Sequence, residues 1–305
     1  MRLFKKIFYQ YAYAIGCRKI SVDEGLPCHS KPVEYKTLMP TETRWFADPF
    51  CFNYMGKDYI FFEIFSIFRG RGTIGFSVFD GKKFTQAKEV LHEPFHLSYP
   101  NIFMHNGHIY MIPETHEAKQ IILYEAIDFP YNWKRKVILV DDIDAVDTSY
   151  IQISQEEWIL YTHDLQNAPR LKAFRLNWPT MKCTPVEILG ASHERPAGNP
   201  ITIDGISYRV LQDCSRCYGE KIKLYKIDNL SVKDYREEYA ADITVNMLDT
   251  NSRAHFERVH TITRSDTCEA VDFCYERFYL TKPLVRLLLR AFRYAVGCVG
   301  EDHSR

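Results

Sequence analysis

ADPFCFNYMGKDYIFFE, residues 47–63, reads as a strand, a short polar turn, an aromatic residue and a second strand. The same plan returns in SYPNIFMHNGHIYMIPE (98–114), DTSYIQISQEEWILYTH (147–163) and NPITIDGISYRVLQD (199–213). The aromatic residues after the turns are Tyr59, Tyr110, Trp158 and Tyr208, spaced by 51, 48 and 50 residues. The turns themselves (Met-Gly-Lys-Asp, Asn-Gly, Gln-Glu-Glu and Asp-Gly) carry hairpin chemistry. A third strand follows in each unit, at GTIGFSVF (72–79), QIILYEAI (120–127), RLKAFRL (170–176) and EKIKLYKI (220–227). Several of these alternate apolar and polar residues, as half-buried strands do. Repeats of about fifty residues with three or four strands are propeller blades. HFERVHTITRSD (255–266) falls at the next interval but matches poorly.

The reading is therefore all-β, a five-bladed β-propeller over residues 41–280. Residues 1–40 are an N-terminal extension and ring closure, and 281–305 a basic amphipathic helix and tail. A β-sandwich with chance spacing is the alternative. Within the tail, KPLVRLLLRAFRYAV (282–296) places Arg286, Arg290 and Arg293 on one helix face. Such a helix lies on an anionic membrane surface or packs on the propeller with its arginines in solvent.

Composition agrees with strands. Hydrophobic residues make up 46% and aromatic residues 14%, enough for a β-rich core. The 39 basic and 39 acidic residues cancel, so no global field recruits nucleic acid. Residues 1–20 hold five basic residues and no acid, and 281–305 five basic against two acidic, so the body between them is acidic. An acidic, aromatic-rich body suits a neutral polyol such as a sugar. Nine irregularly spaced cysteines argue against a disulfide framework and for a reducing compartment. The expected location is cytoplasmic, with peripheral contact at the inner membrane face through the basic termini. The start, MRLFKKIFYQYAYAIGC, mimics a signal peptide, but Gln10 and three tyrosines interrupt it. No stretch of ~18 apolar residues is present to span a bilayer.

In a propeller, equivalent positions of the blades meet at the axis. The start of the first strand gives Asp48, Tyr99, Asp147 and, with a two-residue offset, Asn199. Four residues after the repeat aromatic come Glu63, Glu114, Thr162 and Gln212. Asp48, Glu63, Glu114 and Asp147 can thus share one pocket, where mutual repulsion and burial would split their pKa values. Glycosyl transfer needs such a pair, one carboxyl as base or nucleophile and one as acid. Taken singly, each carboxylate is a turn residue or strand-end cap. A second cluster holds His193, Arg195, Asn199, Arg209, Gln212 and Asp213, suited to sugar hydroxyls, carboxylates or phosphate, or to an Arg–Asp network pinning loops. His96 is a catalytic candidate or a structural histidine. Cys214-Ser-Arg-Cys217 is a lone CxxC without a partner pair, so no metal and no cofactor are expected.

WFADPF (45–50), FFE (61–63), HLSYP (96–100), PE (113–114), LYEAIDFPYNW (123–133), DTS (147–149), RPAGNP (195–200), RVLQD (209–213) and YGEKI (218–222) occur in this order. Together they resemble the N-terminal domain of glucosamine inositolphosphorylceramide transferases, over about residues 45–230. That domain is similar to the five-bladed propellers of glycoside hydrolase families 43 and 32. The resemblance implies Asp48 as base or nucleophile, Glu114 as acid and Asp147 as the residue that orients or tunes the pair. Trp45, Glu63, His96, Tyr99, Arg195, Asn199, Arg209, Gln212 and Asp213 are the expected substrate contacts. After Tyr225 the pattern is lost, leaving His255, His260 and Asp272 as fifth-blade candidates. In the plant-type transferases a separate glycosyltransferase domain performs the transfer. This chain is expected to act alone or with a partner glycosyltransferase, on a sugar or glycolipid in surface-glycan assembly. A non-catalytic sugar-binding or scaffold propeller is the alternative.

Overall fold

Four of the repeats each form one antiparallel sheet of four strands in chain order. A computed structural model describes residues 8–21, 24–27, 32–166, 170–188, 190–229 and 234–280. The helix expected over 282–296 lies outside these residues. Blade one runs through Arg44–Tyr54, Lys57–Ser66, Arg71–Phe79 and Lys88–Leu91. Blade two comprises Ser98–His105, His108–Glu114, Gln120–Asp128 and Asn132–Asp141, and blade three Ala145–Gln152, Glu157–Asp164, Arg170–Asn177 and Lys182–Val186. Blade four comprises Ile201–Ile203, Ile206–Asp213, Lys221–Asn229 and Arg236–Ile243. The hairpin turns hold left-handed residues where the sequence has its turn chemistry, at Met55, Gly56, Asn106, Gly107, Asp204 and Gly205.

Blade five is assembled from both ends of the chain. Its inner strand, Ile262–Arg264, pairs with Cys268–Phe278. That strand pairs along its whole length with Tyr9–Lys19, from Tyr9 opposite Phe278 to Lys19 opposite Cys268. Val33–Leu38 is added outside it, and Leu248–Thr250 joins that edge in parallel. The ring is thus closed by backbone hydrogen bonds between the first and last described strands. Residues 9–38, assigned from sequence to an extension and closure, supply two strands of a blade.

The core is a set of seams between neighbouring blades. Phe50, Phe61 and Phe76 of blade one meet Tyr99, Met111 and Tyr124 of blade two. Phe103 and Tyr110 meet Trp158 and Trp178 across the next seam. Trp158, the repeat aromatic of blade three, is almost fully buried; truncating it to Ala would cost about 3–5 kcal/mol. The seam between blades four and five needs a glycine. At Gly198 a Cβ would lie 2.1 Å from the Ile262 carbonyl oxygen, and its φ is +146°. Ile262 N–H donates to the Ala197 carbonyl there, so the backbones themselves are in contact.

One irregularity recurs in the inner strands and positions the site. Pairing with the second strand slips between Ala47 and Phe50, between Ser98 and Asn101, and between Val146 and Ser149. Within each slip stands a non-glycine residue in the left-handed region: Asp48 (φ 52°), Tyr99 (φ 46°) and Asp147 (φ 55°). Each is a β-bulge that re-aims one side chain, a device common beside active sites. No helix among the described residues is long and apolar enough to cross a membrane.

Candidate active site at the propeller axis

Along each inner strand, together with the residues that lead into it in blades four and five, the chain passes from one cavity to another. Asp48, Ser98, Asp147, Arg195 and His260 line the first; Cys51–Asn53, Ile102–Met104, Tyr150, Asn199–Thr202 and Thr263–Asp266 line the second. The two therefore open at opposite ends of the axis. The first, of about 340 Å³, holds the carboxylates: Asp48, Glu63, Glu114 and Asp147, with Trp45, His96, Arg195 and His260 around them.

The four acids stand in distinct surroundings. Burial lifts the Glu114 carboxyl to about 8, helped by the Asp147 charge and opposed by Arg195. Burial also raises Asp48, to about 6, with His260 pulling it back and Asp147 pushing it up. Glu63 is pushed well above the carboxylate range by burial and then by Asp48, Glu114 and Asp272. Asp147 is clamped: its Oδ2 accepts from Arg195 Nε at 2.6 Å and Gln212 Nε2 at 3.1 Å. Its backbone N–H donates to Glu114 Oε2 at 3.2 Å.

Asp48 has the matching relation with blade five. Its N–H donates to Asp272 Oδ2 at 3.0 Å. Asp272 Oδ1 accepts from the backbone N–H groups of His260 and Thr261. His260 Nδ1 lies 2.7 Å from Asp272 Oδ2, and its Nε2 is 3.5 Å from Asp48 Oδ1. Thr261 Oγ1 also donates to Asp48 Oδ1, at 3.0 Å. Burial alone would lower the His260 pKa, but the Asp272 and Asp48 charges raise it. Asp48, His260 and Asp272 bring donor atoms within 4.8 Å of one another, as a hard-metal site would. Asp272 already accepts three backbone N–H bonds, from Asp48, His260 and Thr261. The His260 ring thus stands between the two carboxyls, Nδ1 toward Asp272 and Nε2 toward Asp48.

The walls are aromatic. Trp45 stacks on Phe65 at 3.8 Å between centroids and 2° between planes. Tyr13 and Tyr218 flank the His260 ring, and Arg195 lies over Tyr218. His96 Nδ1 accepts from the Gly72 N–H at 3.0 Å, so a neutral ring carries its proton on Nε2, 3.5 Å from Glu63 Oε1. Burial takes the His96 pKa down to about 4, keeping it neutral. Gly72 is required here, because a Cβ would lie 2.4 Å from the Leu97 carbonyl and 2.5 Å from Glu63 Oε1.

Of the residues singled out from sequence, Trp45, Asp48, Glu63, His96, Glu114, Asp147 and Arg195 meet in this pocket, with Gln212 behind Asp147. Four others sit elsewhere. The Tyr99 hydroxyl bonds Ser149 in the core, 2.7 Å away. Asn199 pairs its amide with Asn101 beside the opposite cavity. Arg209 is held in a buried pair with Glu237 of blade four. Asp213, lowered to about 2 despite some burial, accepts from Ser215 and faces Lys221 and Lys223. His116, Phe65, Tyr13 and Tyr218 also line the pocket and were not singled out. Asp272 extends the series Glu63, Glu114, Thr162, Gln212 into blade five, on the strand that follows the inner one. Of the fifth-blade candidates read from sequence, His260 lines the pocket and Asp272 stands behind it, whereas His255 is not among the lining residues.

Residues 33–265 match the family model described as "Glucosamine inositolphosphorylceramide transferase 1, N-terminal". Glucosamine inositolphosphorylceramide transferase 1 of Oryza sativa subsp. japonica is 32% identical over 217 residues, 65% of this chain and 29% of that protein. The Arabidopsis thaliana protein of the same name is 34% identical over 211 residues, 64% of this chain and 27% of its own. The chain thus spans under a third of these relatives. Among solved structures, the catalytic domain of the Coprinopsis cinerea GH62 α-L-arabinofuranosidase aligns at TM-score 0.58 with 11% identity, covering 86% of this chain and 97% of that one. The Xanthomonas citri GH43_1 enzyme complexed with xylose aligns at 0.55 with 11% identity, covering 83% and 90%. At that identity the likeness is one of fold, a five-bladed propeller.

Proposed function

Since this chain belongs to the family of the glucosamine inositolphosphorylceramide transferase 1 N-terminal domain, we propose that its axial pocket binds a sugar and performs acid/base chemistry at the anomeric carbon. The observation that carries this reading is the split between two carboxyls of one cavity. Glu114, at about 8, holds its proton at neutral pH; Asp48, at about 6, is mostly ionised. A protonated acid facing a carboxylate is the equipment for making or breaking a glycosidic bond. Glu114 protonates the departing oxygen, and Asp48 acts as base or nucleophile. Asp147 fixes Arg195 and, through its N–H, an oxygen of the Glu114 carboxyl group. The stacked Trp45 and Phe65 offer an apolar face to a sugar ring. With an alcohol as acceptor the outcome is transfer, and with water it is cleavage. The names of the relatives favour assembly of a glycan or glycolipid, with the basic termini holding the protein to an anionic membrane face.

The test is incubation of the protein with aryl glycosides and nucleotide sugars, with products followed by mass spectrometry. Product from the wild type and none from Asp48→Asn or Glu114→Gln supports the proposal. A second reading, a sugar-binding module that serves a partner glycosyltransferase, is favoured by one contact: the Arg195 clamp withdraws Asp147 from chemistry. Saturable sugar binding with no turnover across the panel selects that reading and rejects the first.

A further inference from the structure

Three cysteines far apart in sequence converge at the joint where the ring closes. Cys17 lies on Tyr9–Lys19 and Cys268 begins Cys268–Phe278, both in blade five. Cys51 lies on the inner strand of blade one. Their sulfurs fall within 4.8 Å of one another, and all three residues are buried. The surroundings are apolar: Ile15, Phe46, Ile60, Phe62 and Ile64. The other described cysteines do not share this placement, and the CxxC pair Cys214 and Cys217 is exposed.

We propose that Cys17, Cys51 and Cys268 form a three-thiolate site for a soft d10 metal ion that pins blade five to blade one. Thiolates select cuprous or zinc ions over hard cations. Sulfurs around a zinc at Zn–S ~2.3 Å stand ~3.8 Å apart, so small rotamer shifts bring the three into range. A cuprous ion is satisfied by three sulfurs. Zinc takes a fourth donor, and two oxygens stand beside the cluster: Ser265 Oγ, 3.3 Å from Cys268 Sγ, and the Thr263 carbonyl, 3.7 Å from Cys51 Sγ. Binding converts thiols to thiolates and releases their protons to solvent, so affinity rises with pH. Because the ligands come from both ends of the chain and from blade one, the ion binds the closed ring and not an open one. It therefore stabilises the fold by mass action.

The experiment titrates the reduced full chain with Cd²⁺, as a spectroscopic stand-in for zinc, and separately with Cu(I) held by a competing chelator. Expected is one equivalent bound with a sulfur-to-metal charge-transfer band, and a rise in Tm of about 5 °C. Both signals should vanish in Cys51→Ala and Cys268→Ala and persist in the Cys214→Ser, Cys217→Ser double variant. The more responsive arm identifies the ion. The wild-type titration decides even where a variant folds poorly. No charge-transfer band in folded, reduced wild type overturns the proposal. So does a band that survives Cys51→Ala, or a disulfide among the three in protein kept under reductant.

Discussion

Blades one to three and blade five are built by opposite routes, the former as four-stranded sheets and the latter as a six-stranded one. In the first three, each sheet is one continuous hairpin series, and the bulge that carries Asp48, Tyr99 or Asp147 repeats at the same place. In blade five, two strands come from the start of the described chain and four from its end, and no hairpin links the central pair, Tyr9–Lys19 and Cys268–Phe278. The regular blades supply the acids of the pocket. The composite blade supplies what tunes one of them: His260, Thr261 and Asp272 around Asp48. Asp48 and Asp147 share a register and a backbone conformation, yet a histidine faces the first and an arginine clamps the second. Equal repeats position residues, and unequal neighbours assign their roles.

The most severe way to break this contrast is Asp48→Asn. Turnover should fall by about a thousandfold or more with an unchanged circular dichroism spectrum. The wild-type kcat/KM should form a bell with its flanks near 6 and 8, since the proposed chemistry uses Asp48 ionised and Glu114 protonated. A flat profile across that window would remove the acid/base assignment. The next effect contrasts stability between the two kinds of blade. Arg18→Ala in blade five strips a partner from the buried Glu269 and should cost about 3 kcal/mol in denaturant melts. A smaller effect follows from linkage. The Glu114 pKa is raised on folding, so its contribution is full below the unfolded value near 4.5 and is lost as pH rises through about 8. Glu114→Gln should therefore stabilise the protein by roughly 2 kcal/mol at pH 9 and by nothing at pH 4. Equal melting of variant and wild type at pH 9 would show that Glu114 is not held protonated by the fold. The smallest effect is expected for Arg69→Ala in blade one. Its pairing with Glu89 is half exposed, so the loss should stay within about 0.5 kcal/mol. A cost near that of Arg18→Ala would erase the distinction between the blades.

Sequence periodicity exposed the four hairpin repeats because their turns and aromatics recur within one continuous segment. It also put Asp48, Glu63, Glu114 and Asp147 at one level, since register alone converts sequence offset into depth along the axis. The fifth blade was illegible for a topological reason. Tyr9–Lys19 and Val33–Leu38 pair with strands over two hundred residues away, and no local pattern announces such a partner. Tyr13 was hidden with them. Asn199 and Tyr99 show the limit of register: each holds the expected position in its strand but is engaged elsewhere, Asn199 by Asn101 and Tyr99 by Ser149. Arg209 and Asp213 are near in sequence and share one face of Ile206–Asp213, yet they stand four residues apart along it and meet separate partners, Glu237 and the Lys221–Lys223 pair.

The closure between Tyr9–Lys19 and Cys268–Phe278 also sets a timetable. A ribosome adding about 5–20 residues per second needs roughly 13–50 seconds to travel from one strand to the other. Throughout that interval the first strand, buried along most of its length once folded, has Val33–Leu38 on one edge and nothing on the other. The nascent protein must shelter an adhesive edge before its pocket can exist, and Asp48 waits as long for Asp272. Cells that make this chain faster, or in excess, should first lose it to aggregation through that open edge of the leading strand.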